Sequence, residues 1–93
     1  MTVSELVVGR VLSVEEHPGA RAPSLLLTVD LGVHGRHEVV LPTGDYAEAD
    51  LLGAQVLCRR EADEVRVVGA HSHASGLALL RPDRKVEDGT LVD

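Results

Sequence analysis

The sequence predicts an all-β fold, a small five-stranded Greek-key barrel with one short helix between strands three and four. Apolar residues recur with period two in short runs, as strands require. Prolines, glycines and polar turns separate those runs. Only the stretch from Tyr46 to Leu52 carries helix start and stop signals. At 93 residues the chain is expected to form one domain with a modest core. A domain of that size buries only about two-thirds of the surface its unfolded chain exposes.

In the first strand Leu6, Val8, Leu12 and Val14 share one face, and Val7, Gly9, Val11 and Ser13 the other. Both faces are partly apolar, so the strand is expected to be covered on two sides, with Val7 and Val11 outermost. Pro18 and Pro23 then force a loop from His17 to Pro23. The second strand, Ser24 to Leu31, turns Leu25, Leu27, Val29 and Leu31 inward. Gly32 to Gly35 makes a turn, and Arg36 to Leu41 is the third strand.

The helix from Tyr46 to Leu52 takes Asp45 as its N-cap and stops at Gly53. Seven residues cannot hold a helix alone, so it must pack on the strands. Gln55 to Arg60 is the fourth strand, Glu61-Ala62-Asp63-Glu64 a polar turn, and Val65 to Val68 a further strand. Leu77 to Leu80 is another apolar run, Pro82 to Gly89 a loop, and Leu91-Val92 a last edge strand. This element order is that of the OB-fold, whose ligand loops lie between strands one and two and between strands four and five.

The net charge is -6, with fifteen acidic residues against nine basic ones, which opposes strong binding to a polyanion. Phe and Trp are absent and Tyr46 is the only aromatic ring. Base stacking, worth about 1–3 kcal/mol per base in single-strand binders, therefore has almost nothing to use. Met1 to Glu5 carries no secretory signal and no apolar run reaches membrane length, so a cytoplasmic, soluble protein is expected. Cys58, flanked by Leu57 in mid-strand, reads as a core residue. His71 and His73, with His34 and His37, match no standard zinc spacing, and neither metal nor cofactor is expected. No nucleophile triad, P-loop or dinucleotide glycine pattern is present, so the chain is expected to be non-enzymatic.

The segment "VVGRVLSVEEHPGARAPSLLLTVDLG" resembles the opening of the tRNA-binding OB domain family. The resemblance rests on Val8-Gly9, His17-Pro18-Gly19-Ala20-Arg21 and Val29-Asp30-Leu31-Gly32. It continues through "TGDYAEADLLGAQVL" and resumes at "LLRPDRKVEDGTLV". Arg21 followed by Pro23 is most similar to the free-standing, export-chaperone-like branch called CsaA-type. The resemblance implies a module that binds tRNA or structured RNA, and free-standing members commonly form homodimers. An ungapped match sets Ser72-His73 at the start of the fifth strand, with Ala74 to Leu80 bridging a deletion where the family has a hairpin. Leu26 and Gly44 stand where the family is commonly basic, and Glu61 where it has Asn.

The candidate RNA contacts are His17 and Arg21 in the first loop, Arg36, Arg59 and Arg60 on the strands, and Ser72 and His73. Arg59 and Arg60 leave their strand on opposite faces, so only one can reach a groove. Arg66 is a neighbour that could complete a basic cluster. Each candidate has a plainer alternative. The prolines stiffen the loop while His17 bonds the local backbone, and the arginines form a solvated face neutralised by Glu61, Asp63 and Glu64. Two functions remain open: a weak tRNA- or structured-RNA-binding domain, and a protein-interaction module that is chaperone-like toward unfolded polypeptide. A homodimer is expected to bury Val7, Val11 and Leu91-Val92.

Overall fold

In the computed structural model, which describes residues 4–19, 21–43, 45–62 and 64–93, the chain is dominated by strands. Their order is β1 (Ser4–Glu16), β2 (Leu25–Asp30), β3 (Arg36–Leu41), a short helix α1 (Glu48–Leu51), and β4 (Gln55–Glu61). Then follow β5 (Glu64–Val67), β6 (Gly69–Ser72), β7 (Gly76–Leu79) and β8 (Leu91–Val92). One antiparallel sheet runs β3-β2-β1-β4-β5, with β8 added beside β1. The two ends of that path, β3 and β5, come together, so the sheet curls into a nearly closed barrel. This is the all-β OB-type barrel expected from the pattern of runs and turns. Among the described residues no helix is long and apolar enough to cross a membrane.

β1 has 13 residues. Straight, it would span about 40 Å at roughly 3.3 Å per residue, yet the longest axis of the molecule is 31 Å. The strand therefore coils around the barrel, and a register shift between Val11 and Ser13 supplies the bend. The shift also moves the inward set from Val7 and Val11 to Val14. Val7 and Val11 are fully buried in the core, which overturns their expected place on an outer, dimer-forming face. Period-two alternation separates the faces of a strand but does not say which one points inward. Val8 is buried too, on the opposite face, where the strap from Arg81 to Thr90 crosses it. Gly89 N–H donates to the Val8 carbonyl and Val8 N–H to the Thr90 carbonyl, at 2.7 and 2.9 Å.

The remaining core comes from Leu25, Leu27, Val29 and Leu31, as their alternation predicts, with Val39, Leu41, Leu51, Val56, Cys58 and Val65. Leu51 from α1 plugs the barrel and is fully buried. The helix is shorter than its sequence signals suggested, because Ala47 rather than Asp45 occupies the N-cap and makes no side-chain cap. Asp45 instead donates its main-chain N–H to the Thr43 hydroxyl. Tyr46 lies outside the helix, and its hydroxyl accepts from Leu79 N–H at 2.9 Å.

The segment from Gly69 to Leu79 departs most from expectation. It forms a separate two-stranded hairpin, β6 against β7, rather than an irregular bridge across a deletion. Ser72 ends β6 and His73 begins the turn, so neither opens the fifth strand, which is Glu64–Val67. The hairpin is tied to the barrel by Leu57 N–H to the Leu80 carbonyl and Leu80 N–H to the Val68 carbonyl. Ala20, Gly44 and Asp63, each part of a sequence expectation, lie outside the described residues.

Candidate nucleic-acid interface

The β1–β2 loop is closed at its base by His17 N–H donating to the Ser24 carbonyl at 3.0 Å. Above that bond lies an open pocket of about 440 Å³ lined by Glu16, His17, Arg21, Pro23, Ser24 and Leu25. His17 Nδ1 accepts from Gly19 N–H at 3.3 Å. The ring proton then belongs on Nε2, which becomes a donor suited to a phosphate or ribose oxygen. The local bond of the plainer alternative thus exists, and it orients the ring rather than consuming it. Arg21 is exposed and makes no ion pair among the described residues.

The register places this loop near the hairpin. Leu25, at the loop exit, pairs with Leu41 at the end of β3. Beyond it, Val40 and Pro42 share a groove of about 340 Å³ with Arg66, Val67, His71 and Leu77. A second groove continues along the seam of the barrel, where His37, Glu38 and Val40 of β3 face Glu64, Val65 and Arg66 of β5. Arg66, which the sequence offers as a neighbour that could complete a basic cluster, and His71, which it offers only as a metal ligand, both line the first of these grooves. Their convergence with β3 depends on barrel closure, which local pattern does not encode.

The other candidates are dispersed. Arg59 pairs in register with Arg66 and with Leu6, and donates to the Ser4 hydroxyl at 3.0 Å. Arg60 leaves on the other face and meets the Glu5 carboxylate at 3.5 Å. Both stand opposite the beginning of β1, whereas His17 and Arg21 follow its end. Arg36 pairs with Asp30, and the β3 residues beside Arg66 are His37, Glu38 and Val40. Ser72 Oγ accepts from the main-chain N–H groups of Ala74 and Ser75, at 3.3 and 3.2 Å, which makes it the cap of the hairpin turn. His73 is exposed in that turn, outside β6, so it does not share a strand face with His71 as residues two apart on one strand would. No three His, Cys, Asp or Glu side chains converge among the described residues.

Charge and burial limit what this surface can do. Glu64 lies 3.1 Å from Arg66 and its hydrogen bond holds that guanidinium more firmly protonated than usual. Tyr46 is half-buried against the core with its hydroxyl engaged, which leaves little of its ring for stacking. Burial pushes the Cys58 thiol up to about 11, so it is neither thiolate nor nucleophile near neutrality.

A small OB barrel, with a loop pocket and a seam groove at one end, defines the class. No family model matches the sequence. Solved structures do. The chain aligns with the chaperone CsaA of Bacillus anthracis at 30% identity and a TM-score of 0.85, over 97% of this chain and 91% of that one. It aligns with the CsaA chaperone protein of Picrophilus torridus at 23% identity and a TM-score of 0.85, over 97% and 92%. A MetRS-related protein of Pyrococcus horikoshii has the same fold at 18% identity and a TM-score of 0.78, over 96% and 89%. The chain belongs to the CsaA-type tRNA-binding OB domain family.

Proposed function

We propose that this protein is a non-enzymatic, weak binder of tRNA or other structured RNA. The observation that carries the reading is the shared end of the barrel, where His17 and Arg21 rim one pocket and Arg66 and His71 the next. With Tyr46 engaged, binding rests on arginine, imidazole and main-chain groups that read shape more than sequence. Arg59 stands opposite the beginning of β1, away from His17 and Arg21, and donates to Ser4. Arg60 is paired with Glu5, and Ser72 caps the hairpin turn that holds His73, so these contribute less. Arg36 is exposed at the start of β3 with no ion pair among the described residues.

A second reading is chaperone-like binding of unfolded polypeptide. It is favoured by the apolar part of the seam groove, Val40, Pro42, Val67 and Leu77, and by the B. anthracis relative, which is a chaperone. Fluorescence polarisation with bulk tRNA at low salt, run beside a reduced, unfolded polypeptide, separates the two. Saturable tRNA binding with no polypeptide binding is expected. Polypeptide binding alone sinks the RNA reading.

A further inference from the structure

Four of the nine basic residues, Arg10, Arg81, Arg84 and Lys85, line one groove of about 390 Å³. It runs between the strap and the α1–β4 connection, past Ala54 and Gln55. This is unexpected in a chain of net charge -6. Asp83 lines the groove, and Asp88 and Glu87 line the adjoining cavity with Arg10 and Lys85, which leaves the four cations in excess. Asp83 and Asp88 are already committed. Asp88 Oδ2 meets Arg10 at 2.6 Å while its Oδ1 accepts from Gln55 Nε2 at 3.0 Å. Asp83 meets Arg84 at 3.6 Å, between side chains 88% and 82% exposed. A pair so exposed rearranges at almost no cost. Arg81 makes only a long contact, 3.4 Å, to the Asp50 carbonyl, and Lys85 has no ion pair among the described residues. Arg10 Nε is buried with no hydrogen-bond partner, an unspent donor in the groove wall.

The walls are also fixed. The Gln55 amide clamps Val86 in both directions, Nε2 donating to its carbonyl at 2.6 Å and Oε1 accepting from its N–H at 3.0 Å. Cations clustered on a fixed main chain, with excess positive charge, are what a phosphate oxyanion selects. We propose that this groove binds a phosphate group, with the phosphodiester of a bound RNA as its principal source and free phosphate as the other. The RNA source rests on the function proposed above; phosphate recognition by the groove does not.

The test is an amide NMR titration of the full chain with inorganic phosphate and, separately, with bulk tRNA, each against sodium chloride of equal ionic strength. The expected result is saturable shifts at Ala54, Gln55, Arg84 and Lys85 with both ligands. The double variant R84E/K85E, altered only at exposed positions, should lose those shifts and bind tRNA at least tenfold more weakly. Shifts with phosphate but no tRNA binding would leave the groove standing as a free-phosphate site and remove the RNA reading. tRNA binding that moves only the loop around His17, with phosphate inert, would overturn the groove and keep the RNA reading. Equal shifts with chloride, or an unchanged double variant, would also overturn it.

Discussion

Arg21 is the candidate contact with least to restrain it, being exposed and without an ion pair among the described residues. Counterion release sets the scale of what it can do. Each neutralised phosphate contributes roughly 0.7 to 0.9 to the slope of log affinity against log salt, so few reachable arginines imply a slope on the order of -2. Arg21→Ala should flatten that slope by about one. Identical binding at every salt concentration would make the loop scaffolding. Cys58 carries a second residue-scale prediction. Burial lifts its thiol from an ordinary 9.0 to about 11, so the folded state holds the proton more tightly than the unfolded chain does. The sign follows: the contribution is fully present below pH 9.0 and is lost as pH rises toward about 11. At roughly 1.4 kcal/mol per pK unit the loss is on the order of 2–3 kcal/mol. Denaturant titrations across that interval should show the decline in the parent, and Cys58→Ala should lack this component of it.

The strap is the element whose fit is most demanding. Gly32 and Gly89 adopt φ of +64° and +90°, and a Cβ on either would run into the main-chain oxygen of Asp88 or Leu31. Glycine is required there for both conformation and close approach. Gly32→Ala should therefore cost roughly 3 kcal/mol, since strain and overpacking add. For a domain of this size that lowers the melting temperature by on the order of 15 °C. Val33→Ala is the control: its side chain is 92% exposed and the change should be close to neutral. Equal melting temperatures for the two variants would show that the strap is not seated against β2. The same element carries the proposed phosphate groove, so its rigidity and its charge are linked.

At the scale of the whole molecule, self-association needs a new surface, because Val7 and Val11 belong to the core. What remains of the expected patch is Leu91, 57% exposed on the two-residue strand β8. A two-fold contact along that edge would be small, since β8 offers little backbone to pair. A dimer through it should dissociate by low micromolar concentration in light scattering, and Leu91→Asp should abolish it. A dimer that persists in that variant uses another face.

The sequence by itself determined the strand runs, the turn at Gly32, the inward set of β2 and the OB element order. Those features are local, written in period-two alternation and in the backbone limits of Gly and Pro. It also carried the family, through short motifs distributed along the chain. Tertiary structure decided which face of β1 points inward, because a bulge changes the phase and alternation alone has no sign. It decided that Gly69–Leu79 is a hairpin, held by Tyr46 from 33 residues away. It placed Arg66 and His71 beside β3, and Arg10 beside Arg81, Arg84 and Lys85. Barrel closure and the strap bring together residues far apart in the chain, and no local pattern records which side chains then share a groove.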